Sequence, residues 1–307
     1  MKILVTGATG FIGGEVAEHL ASNSNLKIIA TGRSFTNRFD AFPNVAFIQA
    51  DLTRQIPPFE CDVCIHCAGL ADDKASEAEF RKHNVLGTGH LLKALKGCKR
   101  IIFISSSSVY DFRDGEFKKE EDASLQLNLT PYGKSKLLAE TLVAGSGIET
   151  VFILRPRAVY GKNDRVLMPR IIKLIKGKIF FVPGKLEVKT SLTHIQNLLE
   201  AITIAITASK NGKYIFNVAD KNPYLLKAVF EKIGIVHTGD KVHFVHLPLV
   251  LIRCIISLTQ ALGIKTTFSL QSLDYLSFHS IIDTSKIEKE LSFQSKYQFF
   301  TDFPDLS

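Results

Sequence analysis

The feature that most constrains this chain lies at its start. The apolar run Ile3-Leu4-Val5 passes into Thr6-Gly7-Ala8-Thr9-Gly10-Phe11-Ile12-Gly13, and a helical pattern begins at Ile12. Three glycines at G-x-x-G-x-x-G spacing between a strand and a helix have separate physical tasks. Gly7 takes the tight turn, Gly10 lets the backbone approach a diphosphate, and Gly13 lets helix and strand pack closely. The helix start then offers unpaired N–H groups and the positive end of its dipole to phosphate. This turn, with Thr9, Phe11 and Ile12 beside the glycines, predicts a dinucleotide site on a strand–helix–strand unit. It therefore predicts a parallel sheet covered on both faces.

The rest of the first half agrees. Apolar runs at Lys27–Thr31, Val45–Ala50, Asp62–Cys67, Arg100–Ser105 and Thr150–Leu154 alternate with helical patterns, notably Ile12–Ser22, Ser76–Leu95 and Tyr132–Ala144. Right-handed crossovers among such elements give an α/β fold, a doubly wound parallel sheet of the Rossmann type. After Pro156 the alternation weakens. Lys162–Lys178 reads as a basic loop plus helix, Ser191–Thr207 as a helix, and Tyr214–Val218 as a strand returning to the main sheet. The expectation is a dinucleotide-binding domain over 1–156 and a smaller, mostly helical substrate-binding lobe over 157–307.

Composition narrows the function. With 307 residues, 46% hydrophobic and 22% charged, the chain is globular rather than disordered. No apolar leader with a cleavage site precedes the glycine turn, so a cytoplasmic protein is expected. Cys61, Cys64 and Cys67 fall in a strand-like run with no fourth thiol nearby. Alternation would place Cys61 and Cys67 on one face and Cys64 on the other, in packing roles, and no metal site is expected. The net charge of +8 suits an anionic substrate or cofactor. No basic run interleaved with aromatics appears, so nucleic acid is not an expected partner. The apolar run Leu247–Leu258 is interrupted by Arg253 and falls short of the roughly 20 residues of a membrane span. It reads as a buried or partner-facing helix, with membrane contact at most peripheral.

Three further clusters carry chemistry. The second strand ends in Thr31-Gly32-Arg33-Ser34, with no carboxylate to accept from a ribose 2′-hydroxyl. Arg33 is placed for a 2′-phosphate, with Ser34 as a short donor and Arg38 in support, so NADP is the expected cofactor and NAD the alternative. Asp51 and Leu52, after the third strand, suit either an adenine contact or a simple Asp turn. Tyr132 and Lys136 stand four apart on one helix face. A free tyrosine titrates near pH ~10, and a neighbouring ammonium favours its phenolate, which makes it a usable proton carrier for a carbonyl oxygen. The lysine can also hydrogen-bond the nicotinamide ribose. Finally, Ser105–Ser108 follow an apolar strand at the mouth of the sheet, where one of them can orient a reacting oxygen.

Thr6–Gly13, His66-Cys67-Ala68-Gly69, Asn84-Val85-Leu86-Gly87-Thr88, Ser105–Tyr110, Tyr132–Lys136 and Leu154–Gly161 occur in this order. Together they resemble the extended short-chain dehydrogenase/reductases, the NAD-dependent epimerase/dehydratase family. Ser191–Ile195 and Asp283–Lys286 extend that resemblance over nearly the whole chain. The resemblance implies that the catalytic serine lies four residues before Tyr110, at Ser106, with Ser107 next in line. It also implies cofactor contacts at Ala68, Gly69 and Pro156, and substrate contacts at Ser107, Tyr110 and Arg157. Asn84 is either a cofactor contact or a structural polar residue, and His66 is expected to be a satisfied core histidine. A homodimer through the helices near 76–95 and 132–144 is implied as well.

Ser107-Ser108 stand where dehydratases of that family carry Asp-Glu, which argues against a 4,6-dehydratase. Ala158 stands where many nucleotide-sugar members carry Asn, and His194-Ile195-Gln196-Asn197 where paired acids are usual. The leading expectation is an NADPH-linked reductase of a keto group on a nucleotide sugar, with Arg157, Arg165 and Arg170 placed for its anionic tail. The alternatives are a 4-epimerase retaining NAD, a reductase of a hydrophobic, steroid- or flavonol-like ketone, and a non-enzymatic cofactor sensor. The presence of serine, tyrosine and lysine together favours an enzyme.

Overall fold

The computed structural model describes all residues except 73–74, 114, 262–269 and 304–307. The central sheet is built from β1 (Lys2–Thr6), β2 (Lys27–Gly32), β3 (Val45–Gln49), β4 (Val63–His66), β5 (Arg100–Ile104), β6 (Thr150–Pro156) and β7 (Gly212–Val218). Its order is β7-β6-β5-β4-β1-β2-β3, and every neighbouring pair is parallel. The chain winds outward from β1 to β3, then crosses back to β4 and winds the other way. That reversal opens a crevice beyond the carboxyl ends of β1 and β4, where ligands bind in such sheets.

Alternation along the strands explains the two layers. Ile3 and Val5 of β1 face one way, packing with Val16 and Ala17 of α1 (Phe11–Ala21). Leu4 faces the other way, in a cluster with Leu91, Ala139 and Val143. Those three residues belong to α3 (Gly87–Ala94) and α4 (Pro131–Ala144). The helical stretch leading into α3 is not uniform. It opens with α2 (Glu77–Phe80), where Ser76 and Glu79 form a capping box. A π-helical segment, Arg81–Leu86, follows before α3.

Several boundaries differ from the sequence expectations, each for a packing reason. β6 runs on to Pro156 because β7 pairs with it as far as Val218. After α5 (Leu167–Ile172), the helix expected from Ser191 begins only at Ile195, as α6 (Ile195–Thr207). The residues before it, Thr193 and His194, pair instead with Val159 and Tyr160. The second half also holds more strand than expected. Ile175–Lys176, Ile179–Pro183 and His243–Leu247 form a small sheet. Phe180 there stacks against Phe230 of α7 (Leu226–Thr238) and against Phe244, each at 5.3 Å. α8 (Leu249–Ala261) follows. Among the described residues no helix is long and apolar enough to cross a membrane.

The cysteine expectation needs correction. Cys61 packs in the same cluster as Cys64, and Cys67 joins the opposite one. β4 covers only Val63–His66, so strand alternation does not extend to positions 61 and 67. All five cysteines are free thiols, and no metal-holding group of His, Cys, Asp or Glu occurs among the described residues.

Candidate active site

The glycine turn has the shape its spacing implies. Gly7 adopts a φ of +70°, and a Cβ there would fall 2.8 Å from the backbone of Ala68. A Cβ on Gly13 would fall 2.3 Å from the Gly7 carbonyl oxygen, so helix and turn touch backbone to backbone. The Ala8 amide donates to the Thr31 carbonyl at 2.9 Å, tying the turn to β2. Gly10 caps α1 with no side-chain partner, and the first helical turn carries no acid. The helix N-terminus, with its dipole uncompensated, fits a diphosphate.

The end of β2 is equally specific. A Cβ at Gly32 would stand 2.7 Å from the side chain of Thr9, so a larger residue at that position would require the Thr9 side chain to move aside. Arg33 and Ser34 are exposed beside it. Arg38 is not available to support them. It pairs with Glu15 at 2.6 Å and Glu18 at 2.7 Å on α1, which hold its guanidinium more firmly charged than usual. Asp51 makes an Asx turn, its Oδ1 accepting from the Thr53 amide at 3.0 Å. That bond, then the nearby arginines Arg54 and Arg33, hold its carboxyl below the usual range. The Leu52 carbonyl accepts from His90 Nδ1 at 2.8 Å.

The serine loop and α4 are brought together by another glycine. A Cβ at Gly133 would overlap the Ser108 carbonyl oxygen, at 1.9 Å. Only glycine lets the first turn of α4 lie against that loop. Thr130 caps the helix by accepting from the Gly133 amide at 2.9 Å, and Pro131 occupies its first turn. Tyr132 is half-buried, its ring 5.7 Å from that of Phe80. Ser106 is half-buried and extended, its Oγ accepting from the Ser108 amide at 3.1 Å; Ser107 is buried.

Lys136 is buried, donates to the Ile104 carbonyl at 2.6 Å, and lies 4.2 Å from the centre of the Phe103 ring. Burial pushes its ammonium down to about 8, against the opposing pull of Glu140. Gly69, exposed at the crevice, sits above it: a Cβ there would stand 3.9 Å from Nζ.

A chain of hydrogen bonds links the dinucleotide turn to this lysine-bearing helix. Thr88 Oγ1 donates to the Asn84 carbonyl at 2.6 Å and so must accept from His66 Nε2 at 2.9 Å. His66 Nδ1 then accepts from the Thr6 hydroxyl at 2.7 Å, and that oxygen accepts from the Ala68 amide at 3.2 Å. Burial, then the charge of Lys136, push His66 down to about 3, so the ring is neutral. Asn84, buried in the π segment, holds the loop after β4 by accepting from the Leu70 amide at 2.7 Å and donates to Ser135 Oγ at 2.9 Å. Ser135 Oγ donates in turn to the Tyr132 carbonyl at 2.7 Å. Asn84 thus spends its amide on the scaffold.

Sequence reasoning missed a second network behind the lysine. Arg155 of β6 is fully buried and binds Glu140 of α4 through two parallel bonds, at 2.9 and 2.6 Å. Burial opposes the charge on Arg155, but the pair with Glu140 outweighs it and holds the guanidinium firmly charged. Arg155 also donates to the Tyr110 hydroxyl at 2.9 Å, which donates to Asn217 Oδ1 at 2.7 Å. Two signals pointed to it: an arginine inside an otherwise apolar strand, and an acid one turn beyond Lys136. Tyr110 therefore presents a ring, not a hydroxyl, to its surroundings. Arg157 is buried against Ser280 Oγ at 2.7 Å, and Pro156 is buried at the end of β6. A cavity of about 260 Å³ opens toward the second half, lined in part by Tyr110, Phe112, Thr130, Arg253 and Phe278.

Residues 3–219 match the family model described as the NAD dependent epimerase/dehydratase family. The chain belongs to that family. It is therefore an enzyme of the NAD-dependent epimerase, dehydratase and reductase group. It is 32% identical to a UDP-glucose 4-epimerase of Vibrio cholerae over 71% of this chain and 70% of that one. It is 29% identical to the 4-hydroxy-2-methyl-3-oxo-4-farnesyl-3,4-dihydroquinoline-1-oxide ketoreductase of Stigmatella aurantiaca, over 74% and 71% of the two chains. Its fold resembles that of a UDP-glucuronic acid 4-epimerase from Bacillus cereus solved with NAD, with a TM-score of 0.77, 22% identity, and coverage of 98% and 96%.

Proposed function

We propose that this enzyme reduces a keto group on a nucleotide-linked sugar with NADPH. The observation that carries the cofactor choice is the end of β2. Gly32, packed against Thr9, stands there in place of a carboxylate, and Arg33 and Ser34 stand exposed at the same edge. The glycine turn, with Ala68 and Gly69 across the crevice, suits the dinucleotide, which when bound supplies the hydride.

The chain's own groups handle the proton. Ser106 Oγ donates to the substrate oxygen and orients it, and the Tyr132 phenol delivers a proton to that oxygen. The Lys136 ammonium stabilises the phenolate left behind. Because burial places Lys136 near the edge of its charged range, it fills this role below about pH 8. The anionic tail is met from the second half, where Arg165 and Arg170 are exposed. Arg170 already reaches across to the Ala71 carbonyl at 2.9 Å, after β4. Likeness to the UDP-glucose 4-epimerase supports a nucleotide-sugar substrate, and likeness to the ketoreductase supports net reduction. The enzyme acts in the cytoplasm as a homodimer through the helical stretches over 76–95 and 132–144, where Leu86 of the π-helical segment and Leu142 of α4 are exposed.

The test is cofactor titration by fluorescence, with analysis of any dinucleotide that co-purifies. NADPH is expected to bind preferentially, and Arg33→Ala to weaken it about tenfold or more while barely moving NADH. Retained NAD with no NADPH preference would sink this reading in favour of a 4-epimerase, which the 32% identity to the Vibrio cholerae enzyme also supports.

A further inference from the structure

The positive charge of this protein is not spread over it. Residues 165–186 contain six Lys and Arg and no Asp or Glu; residues 241–273 contain three and none. The whole chain has 38 basic and 30 acidic residues, so the remainder, with 29 basic and 30 acidic, is close to neutral. The fold brings strands from both acid-free stretches together. Ile179–Pro183 and His243–Leu247 are parallel neighbours in register, and the Gly184 amide donates to the Leu247 carbonyl at 3.0 Å. Lys176, Lys185 and Lys241 are exposed on the segments that flank this pairing, and Lys178 beside them pairs with Asp240 at 2.5 Å.

α8 emerges directly from it. Its inner side is anchored by Ile256, 2% exposed, and by Arg253, which pairs with Asp274 at 2.5 Å. Its outer side is apolar too. Val250 is 75% exposed, Leu251 56%, Ile255 50% and Leu258 63%. At 100° per residue these four fall on one continuous stripe, with the exposed Cys254 among them and no charge on it. Val245 and Ile179 on the adjoining strands are also more than a third exposed. A contiguous apolar surface of this kind marks an interaction site.

We propose that this face docks on an anionic lipid bilayer, α8 lying in the interface and the basic strands beside it meeting lipid headgroups. Charge decides between lipid and a second copy of the chain. A two-fold self-contact here would set one net basic surface against another, with the neighbouring Asp240 already engaged by Lys178. An anionic bilayer satisfies the apolar stripe and the lysines together.

The test is co-sedimentation of the full chain with vesicles of phosphatidylcholine, with and without phosphatidylglycerol. The chain is expected to pellet with the anionic vesicles and to be released by high salt. Leu251→Glu with Leu258→Glu should abolish binding while melting temperature and dinucleotide binding stay unchanged. Lys176→Glu with Lys185→Glu should lower partitioning about tenfold or more. Binding no stronger to anionic than to neutral vesicles would overturn the proposal. So would an unbound wild type whose oligomer, seen by light scattering, dissolves in the Leu251/Leu258 variant, which would assign the face to a second copy.

Discussion

His66 shows how one side chain can set up a site without touching substrate. Its neutral ring donates to Thr88 and accepts from Thr6, so it must stay uncharged for both bonds to hold. Protonation would also place a cation near Lys136. The folded value near 3, against an ordinary 6.5, means the unfolded chain binds one more proton between those limits. Stability is therefore complete above pH 6.5 and falls as pH drops toward 3, by about 1.4 kcal/mol per pH unit from this group. Urea melts across that window should show a shallower acid limb in His66→Gln than in wild type, by one proton. Equal slopes would mean the ring is not held neutral. At Tyr132 the expected readout is turnover. Tyr132→Phe should lower it by roughly 10²–10⁴ with dinucleotide affinity unchanged, measured by steady-state assay and titration. Retained activity would remove the phenol from the reaction.

Between elements, the join that matters most is α4 to β6. Glu140 neutralises Arg155 through two bonds and lies one helical turn beyond Lys136. A buried pair is weak evidence of net stability, but removing one partner leaves the other charge uncompensated. Glu140→Gln is expected to lower unfolding free energy by about 3–5 kcal/mol in denaturant titrations. It should also move the alkaline limb of the pH–rate profile to lower pH. The carboxylate raises the Lys136 value, so its loss lets burial depress that value further below about 8. A destabilised variant with an unmoved profile would make the pair purely structural. The same join explains why Tyr110 and Asn217 are buried and bonded: they complete the shell around Arg155.

For the whole molecule, the exposed apolar side chains that carry the two association proposals lie on different elements: Leu86 and Leu142 in one place, the outer stripe of α8 in another. The first is where the proposed dimer forms. Light scattering at micromolar concentration should report twice the chain mass, and Leu142→Glu should halve it. A monomeric wild type would leave those helices without a partner. The crevice itself is a whole-molecule feature, since its walls come from β1, β4, the serine loop and the second half. Arg170 already bridges two of those walls.

Much of this was written locally. The glycine turn, the strand–helix alternation and the Tyr132–Lys136 spacing are patterns of adjacent residues. Backbone sterics and the 3.6- and 2-residue periods translate such patterns into structure without help from distant parts. The family resemblance followed from the order of those motifs. What the tertiary structure decided was pairing. Arg38, expected beside a phosphate, was claimed by Glu15 and Glu18 because α1 passes beneath it. Arg155 found Glu140, and His66 found two threonines, across sequence separations that no local pattern encodes. The small sheet and the outward face of α8 were hidden for the same reason. Apolar residues declare that they will be covered, but only the packing of distant segments says which face is left for a partner.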